Sequence, residues 1–210
     1  MFTGIIQEIG KIKRTAQKGA IKVIIIQCSN MQADLKLGDS IDCDGICLTV
    51  TEFSQNTITV EAMSGTIKTT TLCNWYSGYQ VNLEKSIKVD SKLDGHIVQG
   101  HVDCVATVLH IAQQAGGMII EINIPNEVET LIVNKGSIAV NGVSLTVASL
   151  KNSSFSVSIV TFTWKHTNLS ALKPGSKVNL EFDIIGKYIN RYLSKIEHEL
   201  TKEKLLEKGY

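Results

Sequence analysis

Short runs rich in valine, isoleucine and threonine recur along the chain, each closed by glycine, asparagine or aspartate. Runs of that length and make-up predict β-strands. In the first half, strands are expected near residues 4–13, 22–27, 40–43, 46–53, 57–61 and 80–86, and the second half repeats the series. Closely spaced strands with turn signals imply an antiparallel sandwich or barrel, with little helix in either half. Short helical turns are expected at 31–37 and 127–133. Beyond residue 185 the period changes. Tyr188, Ile189, Tyr192, Leu193, Ile196 and Leu200 recur every three or four positions with charges between them. This predicts an amphipathic helix. Its apolar stripe would pack either on its own domain or on another subunit.

The series repeats in residue identity as well as in pattern. SIDCDGICLTV from Ser40 returns as SIAVNGVSLTV from Ser137, TIKTTTL from Thr66 as TWKHTNL from Thr163, and GYQVNLE from Gly78 as GSKVNLE from Gly175. Each pair stands 97 positions apart. Similar side chains in the same order imply two copies of one domain. Two equivalent pockets would suit a pair of like molecules as ligand.

The repeated hairpin can be read residue by residue. Asp44-Gly45 and Asn141-Gly142 are two-residue turn signals, because both central positions need positive φ. The loop length then pairs Cys43 with Ile46, Asp42 with Cys47, Ile41 with Leu48 and Ser40 with Thr49. Faces alternate along each strand, so Ile41, Cys43, Ile46, Leu48 and Val50 share one face. Ser40, Asp42, Cys47 and Thr49 share the other. In the second copy the apolar face is Ile138, Val140, Val143, Leu145 and Val147, opposite Ser137, Ala139, Ser144 and Thr146. One face must line a core.

Composition narrows the function. The 210 residues suit two domains of roughly 100 residues each. A net charge of +1 with scattered basic residues argues against a nucleic-acid partner. The start MFTGIIQEIGK has neither the basic region nor the apolar run of a signal peptide, and the longest apolar run, 23–26, is too short to cross a membrane. A cytoplasmic protein is expected. Five cysteines, Cys28, Cys43, Cys47, Cys73 and Cys104, include no CxxC and are read as reduced thiols. No metal site is expected: His96 and His101, five apart on an extended strand, point to opposite faces.

The opening MFTGII, the paired SLTV-like hairpins, the doubled VNLE and the central segment DGHIVQGHVD (Asp94 to Asp103) together resemble the riboflavin synthase family, of the alpha-chain, lumazine-binding-repeat type. The resemblance runs from Met1 to about Leu193. It implies two similar six-stranded Greek-key barrels, residues 1–96 and 97–186, and a C-terminal helix and tail, 187–210, that hold a homotrimer together. The implied reaction takes two molecules of 6,7-dimethyl-8-ribityllumazine and moves a four-carbon unit from one to the other. It gives riboflavin and 5-amino-6-ribitylamino-uracil, with no metal and no redox cofactor. Lumazine synthase is a candidate partner. Matching position by position assigns Gly4, Ile5, Ile6, Cys47, Leu48, Thr49, Met63 and Thr66 to the first barrel's binding set. Gly100, His101, Val102, Lys135, Ser144, Leu145, Thr146, Thr161 and Thr163 fall to the second. Each productive site is expected between the first barrel of one subunit and the second of a neighbour.

The chain departs from the family where Gly65 and Phe162 replace the usual glutamate before Thr66 and Thr163. The basic residue two positions after each threonine is retained as Lys68 and Lys165. The two copies also differ from each other: Cys47 matches Ser144, Ile5 matches His101, and Ser86 matches Asp183. The catalytic set read from this asymmetry is Ser40 and Cys47 of one subunit with His101 and Asp183 of its neighbour. His101 would move protons, because imidazole titrates nearest neutral pH. Asp183 would orient it, and Ser40 or Cys47 would form a transient adduct. Read without the resemblance, Cys47 is a packing residue, His101 a structural histidine and Lys135 a solvated turn residue. Asp183 is then a helix cap, Thr49 and Thr146 are ordinary strand residues, and Gly4 and Gly100 mark bulges. The rival function is a non-catalytic lumazine- or flavin-binding protein of the same fold. A β-barrel oligonucleotide binder is a more distant one, disfavoured by the absence of clustered aromatics.

Overall fold

Twelve strands close into two antiparallel barrels in the computed structural model of the chain, which describes residues 1–199 without the side chains of 126, 127 and 197–199. The first barrel comprises β1 (Glu8–Lys18), β2 (Ile21–Gln27), β3 (Ser40–Cys43), β4 (Ile46–Phe53), β5 (Thr57–Met63) and β6 (Gln80–Lys85). The second comprises β7 (Cys104–Gln114), β8 (Gly117–Asn123), β9 (Ser137–Val140), β10 (Val143–Leu150), β11 (Ser154–Val160) and β12 (Lys177–Phe182). Both have the same strand order, β1-β2-β5-β4-β3-β6 in the first. A short helix follows the fifth strand of each: α1 (Ser64–Thr69) and α2 (Thr161–Lys165). The last element is α3 (Ile184–Glu199).

The repeat extends to irregularities. Register shifts fall between Ile12 and Arg14 and between Val108 and His110, and again between Val50 and Glu52 and between Val147 and Ser149. Bulges at matching places bend both sheets enough to close. The hairpin has the expected register, with Ser40 opposite Thr49 and Asp42 opposite Cys47, and its apolar face fills the first core. The second hairpin behaves alike.

The opposite face differs from a simple solvent face: Asp42 and Ala139 are both buried. The cause is that the two hairpin turns abut. A Cβ on Gly45 would lie 2.9 Å from the Gly142 nitrogen, so both turns must end in glycine. Around this contact the polar groups obey an approximate two-fold. Asn82 Nδ2 donates to the Asn141 carbonyl and Asn179 Nδ2 to the Asp44 carbonyl, at 3.0 and 2.8 Å. Asn82 Oδ1 accepts from the Asn168 amide and Asn179 Oδ1 from the Thr71 amide. Asp44 and Asn141 are equivalent as well, each accepting through Oδ1 from an asparagine amide of its own barrel's last strand. These buried cross-barrel hydrogen bonds fix the orientation of one barrel on the other, although Asn141 Nδ2 and Thr71 Oγ1 have no partner among the described residues.

Two expectations need correction. Strand β1 begins at Glu8, not at residue 4, because the leading segment is used elsewhere. Residues 31–37 form turns with no helix, and Asp34 sits there at φ 64°. The second expected turn is a 3-10 helix at Asn126–Leu131. Leu200, the last residue of the apolar stripe, lies outside the described residues.

The leading segments of the two copies cross. Phe2 and Val98 form an antiparallel bridge, and the His96 amide donates to the Thr3 carbonyl. From this junction residues 4–6 run to the second barrel, where Ile6 packs on its core. Residues 100–102 run to the first, where Val102 packs on that core. The two VNLE glutamates hold the crossing. Glu84 accepts from the Thr3 amide and hydroxyl and the Gly4 amide, at 2.7 to 2.9 Å. Glu181 accepts from the amides of Gln99, Gly100 and His101 over the same range. Burial raises both carboxyls above their ordinary value, and these hydrogen bonds pull the other way.

Candidate functional site

Each hairpin receives the leader of the other copy. The Cys47 amide donates to the Gly100 carbonyl at 2.9 Å, and a Cβ on Gly100 would stand 2.5 Å from Cys47 Cβ. The Ser144 amide donates to the Gly4 carbonyl at 2.8 Å, and a Cβ on Gly4 would stand 2.6 Å from Ser144 Cβ. Gly4 and Gly100 have φ of 77° and 78°. Positive φ and contact this close both require glycine. These glycines therefore mark close approach, while the bulges lie elsewhere.

This geometry reverses one assignment made from sequence. Gly100, His101 and Val102 line the first barrel's pocket, and residues 4–6 run against the second barrel's hairpin and core. The reason is the crossing, which neither sequence distance nor repeat phase reveals. The first pocket is a cleft of ≈ 210 Å³ lined by Cys47, Thr66, Thr69, Thr70, Gly100, His101 and Val102. His101 and Cys47 thus share one cleft within a single chain, where the sequence reading had put them on different subunits. Pockets that enclose a drug-sized ligand are usually about 300–1,000 Å³. This cleft is smaller than that range.

The repeat places Ser144, Thr163, Gly4, Ile5 and Ile6 at the corresponding positions of the second barrel. There Ser144 Oγ lies 2.7 Å from His96 Nδ1. His96 is buried, and burial pushes its imidazole below the ordinary histidine range while the Asp183 charge raises it. The sequence reading used His96 only to dismiss zinc. Its signal was the doubled Gly-His of the central segment. Among the described residues no group of three or more metal-ligating side chains could hold an ion.

The other residues separate. Leu48 and Leu145 point into the cores, so only their backbone is available to a ligand. Thr49 and Thr146 lie exposed on the outer face beside Cys47 and Ser144. Met63 is exposed at the start of α1, and Thr161 at the start of α2 bonds Gly116. Lys135 sits at φ 65°, its amide on the Val147 carbonyl and its Nζ on the Ala148 carbonyl. In the first copy Gly38, at φ 87°, makes the equivalent amide bond to Val50. Lys135 is thus a turn residue on the chain considered alone. Ser40 lines a different and larger cleft of ≈ 610 Å³ with Ile5, Glu84 and several lysines, away from Cys47. Asp183 accepts from the Ile185 amide through Oδ1, which caps α3, and its charge acts on His96.

The replacements Gly65 and Phe162 occupy matching places in α1 and α2. A Cβ on Gly65 would meet nothing within 4 Å, whereas Phe162 is exposed and stacks on His166 at 4.0 Å between ring centroids. The first copy is open at this place, and the second carries an exposed aromatic ring.

Comparison with known proteins agrees with the repeat. The lumazine binding domain family matches residues 3–86 and again 99–183. Riboflavin synthase of Actinobacillus pleuropneumoniae is 42% identical over 98% of this chain and 95% of its own. Riboflavin synthase of Bacillus subtilis is 39% identical over the full length of both. Among solved structures, LumP complexed with riboflavin superposes with a TM-score of 0.81 at 27% identity, covering 87% of this chain and 99% of that one. LumP complexed with 6,7-dimethyl-8-(1'-D-ribityl) lumazine gives 0.78 over 86% and 98%. With two lumazine-binding domains, each hairpin met by the leader of the other copy, and relatives matched over 95% or more of their length, this chain belongs to the riboflavin synthase family.

Proposed function

We propose that the chain is a riboflavin synthase: it binds two molecules of 6,7-dimethyl-8-ribityllumazine and moves a four-carbon unit between them, releasing riboflavin and 5-amino-6-ribitylamino-uracil. The observation that carries this is the repeated hairpin: Cys47 receives Gly100 and Ser144 receives Gly4 through matching hydrogen bonds, with an open cleft beside Cys47. Each hairpin holds one ring system and leaves a face free for the other. Holding two reactants in register lowers a barrier by roughly 7–11 kcal/mol. A ring methyl must also lose a proton and a nucleophile must add to a ring. Cys47 and His101 in the first pocket and Ser144 in the second are the groups placed to assist, each such group contributing about 10²–10⁴-fold.

The two hairpins of one chain lie on different barrels, and in this reading the facing ring is brought by a second subunit. The stripe on α3 supports that assembly. Ile185, Tyr188, Ile189, Tyr192 and Leu193 are all more than half exposed. Five large apolar side chains on one helix face mark an interaction surface. Lys187, which bonds Asp103 at 2.6 Å, ties the helix base to the second barrel. The reading is therefore a homotrimer held by α3, acting in the cytoplasm. No described helix is long and apolar enough to cross a membrane.

The LumP likeness favours one alternative, a protein that holds a lumazine or flavin without turnover. Retention of Cys47, His101 and both hairpins supports the enzyme. Purified protein incubated with the lumazine separates the two: flavin fluorescence grows with time for the enzyme, while a binder gives an immediate, constant signal.

A further inference from the structure

A groove of ≈ 460 Å³ lies where the two barrels meet, and it shares no lining residue with the cleft at Cys47. Its size falls within the range that encloses a small organic ligand, about 300–1,000 Å³. Each barrel gives it one lysine, Lys11 of β1 and Lys177 of β12. Lys11 pairs with Gln80 across the first sheet. Lys177 is the repeat counterpart of Gln80, 97 positions on, and its Nζ donates to the Thr107 hydroxyl at 2.7 Å. Neither lysine forms an ion pair among the described residues, and none of the described residues lining the groove is acidic. The larger cleft at Ser40 differs, because its lysines are matched there by Asp34, Asp39, Glu84 and Asp94. Two cations on facing domains, with no counter-ion between them, favour an anion in the groove.

The other walls add an aromatic face and an unsatisfied polar group. Tyr76 is 65% exposed, and its ring meets Tyr79 edge-on at 5.9 Å between centroids. Tyr79 stacks in turn on the buried Trp75 and spends its hydroxyl on Asp44, donating to Oδ2 at 3.1 Å. Tyr76 is thus a braced ring with a face left to stack on. Thr71 also lines the groove; it is 3% exposed, and its hydroxyl has no partner among the described residues. Its repeat counterpart is Asn168, whose Nδ2 donates to Asp44 Oδ1 and to the Gln80 carbonyl at 2.8 and 3.0 Å. Threonine is too short for those bonds, so its side of the two-fold keeps unpaired polar atoms beside the groove. An unpaired buried group costs stability, which a polar ligand edge would recover. We propose that this groove binds a planar aromatic molecule carrying a phosphate, with the ring on Tyr76, the phosphate between Lys11 and Lys177, and a polar edge of the ring at the Thr71 hydroxyl. The site is separate from the lumazine chemistry and does not rest on it.

Adenosine 5'-monophosphate is the probe, with adenosine and inorganic phosphate as its two halves. Each is titrated calorimetrically onto the full chain, with and without saturating riboflavin. The monophosphate should bind saturably in both conditions, and each half at least about tenfold more weakly. K11M and K177M should each weaken the monophosphate about tenfold, as the loss of a charge-assisted hydrogen bond does. Y76A should weaken it by a similar factor. Lys11, Tyr76 and Lys177 are exposed, so these variants should fold and should form riboflavin from the lumazine at the unaltered rate. T71V removes a hydroxyl that has no partner, so it should weaken the monophosphate while leaving Tm unchanged or raised. Absence of saturable binding at millimolar monophosphate would overturn the proposal. So would an affinity indifferent to both lysines or to Tyr76, inorganic phosphate binding as tightly as the monophosphate, or displacement of the monophosphate by riboflavin. Failure of the unaltered chain to form riboflavin would overturn the functional reading and leave this site to the titrations alone.

Discussion

Gly100 lies directly against Cys47: its carbonyl accepts the Cys47 amide at 2.9 Å, and its missing side chain is the reason it can. G100A should strain a position at φ 78° by at least about 1–3 kcal/mol and force residues 100–102 off the first hairpin. His101 would leave the cleft with them. Urea denaturation should show the loss of stability. Ligand titration should show one binding phase weakened while the phase from the second pocket persists.

Cys47 and His101 share a cleft within one chain, which makes their combination readable. C47S and H101A should each reduce turnover, by about 10²–10⁴-fold if the residue takes part in proton transfer or nucleophilic addition. Full turnover in both variants would remove both residues from the chemistry.

Asp44 is fully buried on the approximate two-fold, and burial is the main reason its carboxyl is pushed up to about 7 from 3.8. A folded-state value above the unfolded one means that folding favours the protonated acid. The associated stability is complete below about pH 4 and is lost as pH climbs through 7. D44N copies the second barrel, where Asn141 accepts the corresponding amide through Oδ1. The variant should fold, and its stability relative to the unaltered chain should rise between pH 5 and pH 8, by on the order of a few kcal/mol at most. Chemical denaturation of both proteins at the two pH values reads the difference. A constant difference would mean that Asp44 carries no such titration.

The stripe on α3 has Ile189 and Leu193 at 55% and 52% exposure. The double variant I189S/L193S should leave both barrels folded, because neither residue enters either core. It should reduce the mass in solution to that of one chain and abolish turnover. A monomeric unaltered chain with full turnover would refute a site shared between subunits.

Local chemistry was legible in the sequence where the decisive residues are neighbours. The turn at Asp44-Gly45 fixed the loop length, and alternation then fixed every pair and both faces of the hairpin. The doubled VNLE marked the repeat, but its purpose was hidden. Glu84 and Glu181 serve backbone amides 80 to 82 positions away, and no periodicity encodes that. The same distance hid the crossing, so residues 100–102 were grouped with the second barrel and residues 4–6 with the first, whereas each segment lies on the other barrel's hairpin. Asp42 looked like an outward residue because alternation reports which side of a strand a side chain takes. It does not report what lies on that side. His96 was missed because a histidine five residues from another invites a test for metal, and its true neighbour, Ser144, is 48 positions on.

The crossed leaders brace each barrel with a strap from its twin. A ligand that pulls Gly100 to Val102 inward on the first barrel draws on Glu181, which is rooted in the final strand of the second. One that moves Gly4 to Ile6 draws on Glu84 in the opposite sense. The segment lying on each hairpin is thus anchored in the last strand of the other barrel, so the two halves share one set of fastenings.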